Sequence, residues 1–261
     1  MFGIPFYGWG LAAAAGFSIA AILAMLRARA IGVSTNRIAD LMFWGAVTGI
    51  PGARIAFLLQ HPEHLTGLST LLDVRLGGMS FYGGVATAAP TLWWLCRRYQ
   101  LDPGNIADIF APAVAMGQSI HRLGCFSAGC CYGAVCDFPW AIVVNHPQSL
   151  APQGVPLHPT QLYESVGLAL LAGLLIVLWS RRKTPGKIFF AYTAGYGLLR
   201  IVVETMRGDP DRGWLWEPHI SVAQAAALVL ILLTALWIRR RVSSEATPPS
   251  SDVPTHTSSI R

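Results

Sequence analysis

Apolar runs about twenty residues long recur along the chain, separated by short segments in which charge, proline and glycine gather. Crossing roughly 30 Å of hydrocarbon takes about 20 apolar helical residues, so several of these runs are long enough to be transmembrane helices. The pattern predicts seven spans, near residues 8–26, 38–59, 80–96, 105–120, 160–180, 188–206 and 219–238. The fourth is the most polar, carrying Asp108, Pro112 and Gln118. No polar stretch between the runs is long enough for a separate domain. Residues 1–242 are therefore expected to form one all-α integral membrane unit. Residues 243–261, rich in Ser, Thr and Pro, are expected to be a disordered cytoplasmic tail.

Composition agrees with the pattern. The 261 residues are 53% hydrophobic and only 12% charged, too apolar for a water-soluble surface. The net charge of +6 would point to nucleic acid in a soluble protein. Here the basic residues sit in short clusters beside apolar runs, where they act as topology signals, and nucleic-acid binding drops out. If the spans alternate, thirteen of the nineteen Lys and Arg fall on one side and four on the other, with Arg54 and Arg200 inside spans. The positive-inside rule then places the amino terminus outside and the carboxy terminus in the cytoplasm. The first run has no basic segment before it and is longer than most signal-peptide cores, so it reads as a retained helix.

Two charges lie inside otherwise apolar spans. An arginine at depth costs at least about 2.5–3.5 kcal/mol on insertion scales, so Arg54 and Arg200 should face the protein interior or a wet cavity with a partner. Arg200, Glu204 and Arg207 are spaced to share one helix face, two guanidiniums around one carboxylate. That fork reads either as a structural ion pair or as an anion site, because guanidinium matches phosphate oxygens in bidentate fashion.

The densest polar segment is GQSIHRLGCFSAGCCYG, residues 117–133, in which Arg122 follows the fourth span. His121, Cys125, Cys130, Cys131 and Cys136 bring metal chemistry to mind. Their spacing lacks the CxxC pairs of zinc or iron–sulfur sites, and adjacent cysteines do not easily aim at one ion. The expectation is no metal, with the thiols as small packing residues or as a disulfide on an oxidising exterior. LHPTQLYES follows at 157–165. Thr160 there reads as a helix cap with Glu164 in the first turn; His158, Tyr163 and Glu164 read equally as the lining of a polar pocket. GGMSFYGGV opens the third span with Tyr82, an interfacial anchor or a site hydroxyl.

GGMSFYGG, DIFAPAVAMGQSIHRLGCFSAGCCYG, HPTQLYES and RIVVETMRGDPD, in this order and together with GARIAFLL, resemble the prolipoprotein diacylglyceryl transferase family over roughly residues 35–240. The resemblance implies seven spans and an enzyme of the bacterial inner membrane, with its active site facing the periplasm. It implies transfer of the diacylglyceryl group of phosphatidylglycerol to the thiol of a lipobox cysteine in a prolipoprotein, with release of glycerol phosphate. The partners it implies are that lipid, prolipoprotein signal peptides and the surrounding membrane lipid, with no cofactor. Arg122 and Arg200 match the family arginines that engage the headgroup. Glu204, Arg207, Gly133, His158, Tyr163 and Glu164 match its substrate-binding segments. His121 stands where the family has a glycine, Cys125 an asparagine and Cys130 a glutamate. Tyr82 replaces a histidine found in many members. Arg122, Arg200, His121 and Tyr82 are the expected catalytic groups.

Other classes fit less well. A transporter would be expected to show inverted halves, which are not evident. A retinal-type receptor needs a lysine in a late span, and Lys183 and Lys187 lie in a loop. A catalytically altered relative that binds lipid or membrane partners is the alternative, motivated by the residues at positions 82, 121, 125 and 130.

Overall fold

The computed structural model describes residues 5–65, 67, 78–147, 149–182, 184–209, 214–216 and 220–245. Seven α-helices dominate them: α1 Pro5–Ala30, α2 Thr35–Gln60, α3 Phe81–Arg98, α4 Pro103–Ala128, α5 Thr160–Trp179, α6 Lys187–Glu204 and α7 Val222–Glu245. Two antiparallel pairs of very short strands decorate one end, β1 Ile142–Val143 with β2 Pro156–Leu157, and β3 Trp214–Trp216 with β4 Ile220–Ser221. Among the described residues, three stretches are long and apolar enough to cross a membrane by length and composition: Gly8–Ala30, Thr35–Gln60 and Thr160–Trp179. Large apolar side chains such as Leu11, Ile22, Leu170, Val177 and Leu232 point outward from the helices. An exterior of this kind suits lipid, and the chain is an all-α membrane protein.

All seven apolar runs of the sequence appear as helices, but with shifted ends. The largest shift is in α4, which continues to Ala128, so Arg122 lies within the helix and not in a loop after it. His121–Ala128 contains no proline, and the helix stops where Gly129 adopts the left-handed conformation at φ 71°. Thr160 is not a cap: Pro159 precedes the helix, and Thr160 donates its hydroxyl to the Cys131 carbonyl at 2.9 Å. α7 reaches Glu245, three residues beyond the expected end of the membrane unit. The expected tail from 246 onward, together with Arg75, Lys183 and Arg212, lies outside the described residues.

Hydrophobic transfer does little to hold helices together in lipid, so close packing and interhelical hydrogen bonds must do it. α1 meets α4 at paired small residues: a Cβ on Gly16 would stand 2.7 Å from the Gly117 carbonyl oxygen. α4 and α5 are joined by reciprocal bonds, Ser119 to the Ser165 carbonyl and Ser165 to the Ser119 carbonyl, each 2.8 Å. Tyr192 on α6 donates to Gln118 on α4 at 2.8 Å, and Thr193 meets Thr234 on α7 at 2.8 Å.

The polar residue that weakened the fourth apolar run has a structural role at the opposite end of the bundle. Asp108 is fully buried and accepts bonds from the Gly186 and Phe189 amides at 2.9 Å and from Arg182 at 3.1 Å. It thereby ties the start of α4 to the start of α6 and stabilises two amides that α6 leaves open. Arg54, 2% exposed, donates to the Gly78 carbonyl at 3.0 Å and lies over Phe57, so it anchors the approach to α3.

Candidate active site

The end of the bundle bearing the two small strand pairs collects the ends of α4 and α6 and the starts of α3, α5 and α7. Arg122 lies six residues before the end of α4 and Arg200 four before the end of α6. At about 1.5 Å per residue, both guanidiniums start one to two turns inside the helical bundle.

They converge on a carboxylate from a third helix. Glu164, on the second turn of α5 and 3% exposed, accepts from Arg122 through Oε1 at 2.8 Å and from Arg200 through Oε2 at 3.2 Å. Arg200 turns its second terminal nitrogen to Glu204 Oε2 at 2.8 Å, and Arg207 reaches the same oxygen at 3.7 Å. Arg207 also binds Asp209, with Nε at 2.7 Å from Oδ1. The result is a chain of alternating charge, Arg122–Glu164–Arg200–Glu204–Arg207–Asp209. Its three guanidiniums are matched by three carboxylates, which is how so many charges are stabilised at the edge of an apolar bundle. A guanidinium has five N–H donors, so Arg122 and Arg200 have capacity for a further anion beyond these contacts. Burial works against the Arg207 charge, but the bond to Asp209, with Cys131 and Glu204 nearby, outweighs it and raises the pKa further above its ordinary value. The residue stays a cation.

The segment between α4 and α5 is stitched over this chain by backbone bonds. Gly133 N–H donates to the His158 carbonyl at 3.1 Å and Ala134 N–H to the Met206 carbonyl at 2.8 Å; Gly208 N–H donates to the Tyr132 carbonyl at 3.1 Å. Position 133 must be glycine because a Cβ there would stand 2.4 Å from His158. Gln161 donates to the Cys130 carbonyl at 2.8 Å. Cys131 is a non-glycine residue in the left-handed region, φ 57°. Hydrogen bonds from Cys125 and Cys130 pull its thiol below the usual range, against the opposing effect of burial, with Arg122 and Arg207 adding to the fall.

The expected site residues divide into groups. Arg122, Glu164, Arg200, Glu204 and Arg207 form one connected set, and Gly133 lies against it through its bridge to Arg207. His158 and Tyr163 bond each other at 3.3 Å, and Trp140 donates to the Tyr163 hydroxyl at 2.7 Å, a separate cluster on the loop side. His121 packs edge-on against Trp9 at 5.4 Å, with Nε2 3.8 Å from Cys125 Sγ. Tyr82, 46% exposed, donates to the Val222 carbonyl at 3.3 Å and is near enough to Arg200 and Glu204 to feel both charges. The central position of Glu164 and the partnership of Asp209 with Arg207 were not read from the sequence. The available signal was a carboxylate one turn into an apolar span, which demands a cationic partner.

Fold and site together define a helical membrane protein with an arginine–carboxylate cluster set into one end of its bundle, suited to an anionic ligand. The profile of the prolipoprotein diacylglyceryl transferase family matches residues 1–239, and the chain belongs to that family. Among similar proteins, the phosphatidylglycerol--prolipoprotein diacylglyceryl transferase of Finegoldia magna is 32% identical over 234 residues, 89% of this chain and 90% of its own. That of Clostridium tetani is 33% identical over 235 residues, covering 89% and 92%. That of Geobacter sulfurreducens is 34% identical over 249 residues, covering 91% and 93%.

Proposed function

We propose that the chain transfers the diacylglyceryl group of phosphatidylglycerol to the lipobox cysteine of prolipoproteins, the first step of bacterial lipoprotein maturation. The observation that carries the reading is the convergence of Arg122 and Arg200 on Glu164 at the bundle end, within a chain matched nearly whole by relatives of that name. In the reaction the cysteine sulfur forms a bond to a glycerol carbon, the bond from that carbon to the phosphate oxygen breaks, and glycerol phosphate leaves. Negative charge grows on the departing phosphate. Guanidiniums already fixed in place stabilise it without reorganising, which is where electrostatic catalysis is most effective.

Arg122 and Arg200 hold the headgroup phosphate in this scheme, with Glu204 and Arg207 behind them and Gly133, His158, Tyr163 and Glu164 shaping the binding site. Glu164 fixes the two arginines at a set separation before the lipid arrives. The thiol must lose its proton to attack, and His121, next to Arg122 on α4, carries an imidazole nitrogen that can accept it. Tyr82 contributes a hydroxyl near Arg200 and Glu204. No cofactor is required by these steps.

Seven spans, with the amino terminus in the periplasm and the carboxy terminus in the cytoplasm, complete the proposal. Arg27, Arg29, Arg97, Arg98, Arg181 and Arg182 lie at helix ends opposite the arginine–carboxylate chain in the up-and-down order, as the positive-inside rule requires of a periplasmic site in the inner membrane. Signal peptides and lipid then both reach the site from the membrane. The test is complementation. A bacterium depleted of its own transferase should grow when this chain is expressed and should fail with Arg200→Ala present at the same level in the membrane; rescue by both, or by neither, contradicts the reading.

A further inference from the structure

The transferase chemistry leaves unexplained why three thiols meet beside Arg122. The sulfurs of Cys125, Cys130 and Cys131 all lie within 4.8 Å of one another, although the sequence separates them as one residue on α4 and a vicinal pair in the following loop. Zinc takes thiolate at about 2.3 Å, so ligands of one tetrahedral ion stand just under 4 Å apart. Sulfurs that all lie within 4.8 Å of one another are close to that spacing.

The obstacle raised by adjacent cysteines is removed by the backbone. Vicinal side chains diverge in extended or helical conformation, but Cys131 is held at φ 57°, a conformation that non-glycine residues rarely adopt without a local reason. Two buried polar side chains hold the turn: Thr160 donates to the Cys131 carbonyl at 2.9 Å and Gln161 to the Cys130 carbonyl at 2.8 Å. The Cys130 amide closes back on the Cys125 carbonyl at 3.2 Å, completing the loop from helix to thiol pair. His121, one turn before Cys125, has Nε2 3.8 Å from its sulfur and is placed to orient that ligand, as partners behind metal ligands do.

We infer that Cys125, Cys130 and Cys131 bind one zinc ion as thiolates, leaving its fourth position to solvent. Binding replaces three thiol protons, which are released to water, and pins the end of α4 to the loop that follows it. The inference does not depend on the transferase activity.

The experiment uses the full chain without a polyhistidine tag, purified in detergent under reducing conditions from cells grown with zinc sulfate. About one zinc per chain is expected by elemental analysis. As a chelator withdraws it, three thiols should become reactive toward a chromogenic disulfide in step with the metal released. Cobalt(II) put in its place should show sulfur-to-metal charge transfer and tetrahedral bands. Cys125→Ser and Cys131→Ser should lose the zinc, while Cys96→Ser and Cys136→Ser keep it. Thiols that are freely reactive from the start, zinc below about a tenth of an equivalent, or a disulfide within the trio overturns the inference. The thiol-release measurement needs only the wild-type chain, so it decides the matter even where a serine variant fails to fold.

Discussion

Arg122 on α4 and Glu164 on α5 form a 2.8 Å ion pair across 42 positions of sequence, and the other oxygen of Glu164 is taken by Arg200 on α6. One carboxylate thus fixes three helices at the end of the bundle where the chemistry is proposed. Removing one partner of a buried pair leaves the other charges uncompensated, at a cost of about 3–5 kcal/mol. Glu164→Ala should therefore lower the thermal midpoint in detergent sharply as well as abolish activity. Unchanged stability would mean that the arginines do not depend on Glu164.

Arg122→Lys and Arg200→Lys keep the charge but lose the planar two-pronged donor set. Each should insert and fold, with transferase turnover reduced on the order of 100-fold, the scale of removing one preorganised donor. Wild-type turnover in both would rule out a bidentate headgroup contact.

The proton step separates His121 from Tyr82. Loss of a general base costs roughly 10²–10⁴-fold, so His121→Ala should fall in that range, whereas Tyr82→Phe, which deletes a hydroxyl bonded to the Val222 carbonyl, should lose about tenfold or less. The reverse order in turnover numbers would move the base to Tyr82.

At position 133 a methyl group has no room: Gly133→Ala places a Cβ 2.4 Å from His158 and must push the covering loop away from Arg207. Activity should drop on the order of 100-fold, the size of effect a displacement near 1 Å produces, with the chain still inserted. Activity equal to wild type would show that the loop plays no part.

Reporter fusions check the orientation. Alkaline phosphatase joined after Gly154 should be active, since that loop joins the ends of α4 and α5 that carry the site, and fusions after Gly32 or Arg181 should be inactive. Activity at Gly32 and silence at Gly154 would invert the protein in the membrane.

The seven helices of the described residues were legible in the sequence as apolar runs in the same order, and three of them contain stretches long and apolar enough to cross a membrane. Helix ends were less so. α4 runs on past Arg122 because its interhelical contacts, Gly124 against Trp9 and Ala12 of α1 among them, continue beyond the apolar run. The arginines were conspicuous as charges in lipid, but their common partner was not, since nothing local in HPTQLYES shows that Glu164 faces two other helices. Asp108 was read as a weakness in a span and is instead a buried acceptor for two amides and Arg182. Cys131 illustrates the same limit: a left-handed φ at a cysteine has no sequence signature, and with it goes the meeting of three thiols.

The central claim is most directly tested with the purified chain, phosphatidylglycerol and a synthetic lipobox peptide, followed by mass spectrometry of the peptide. The account predicts that the peptide gains one diacylglyceryl group at its cysteine, that glycerol phosphate appears in equal amount, and that Arg200→Lys suppresses both. A folded, lipid-bound chain that leaves the peptide unmodified, while a relative from Clostridium tetani modifies it under the same conditions, would contradict the account and make this chain a binding relative without the transfer step.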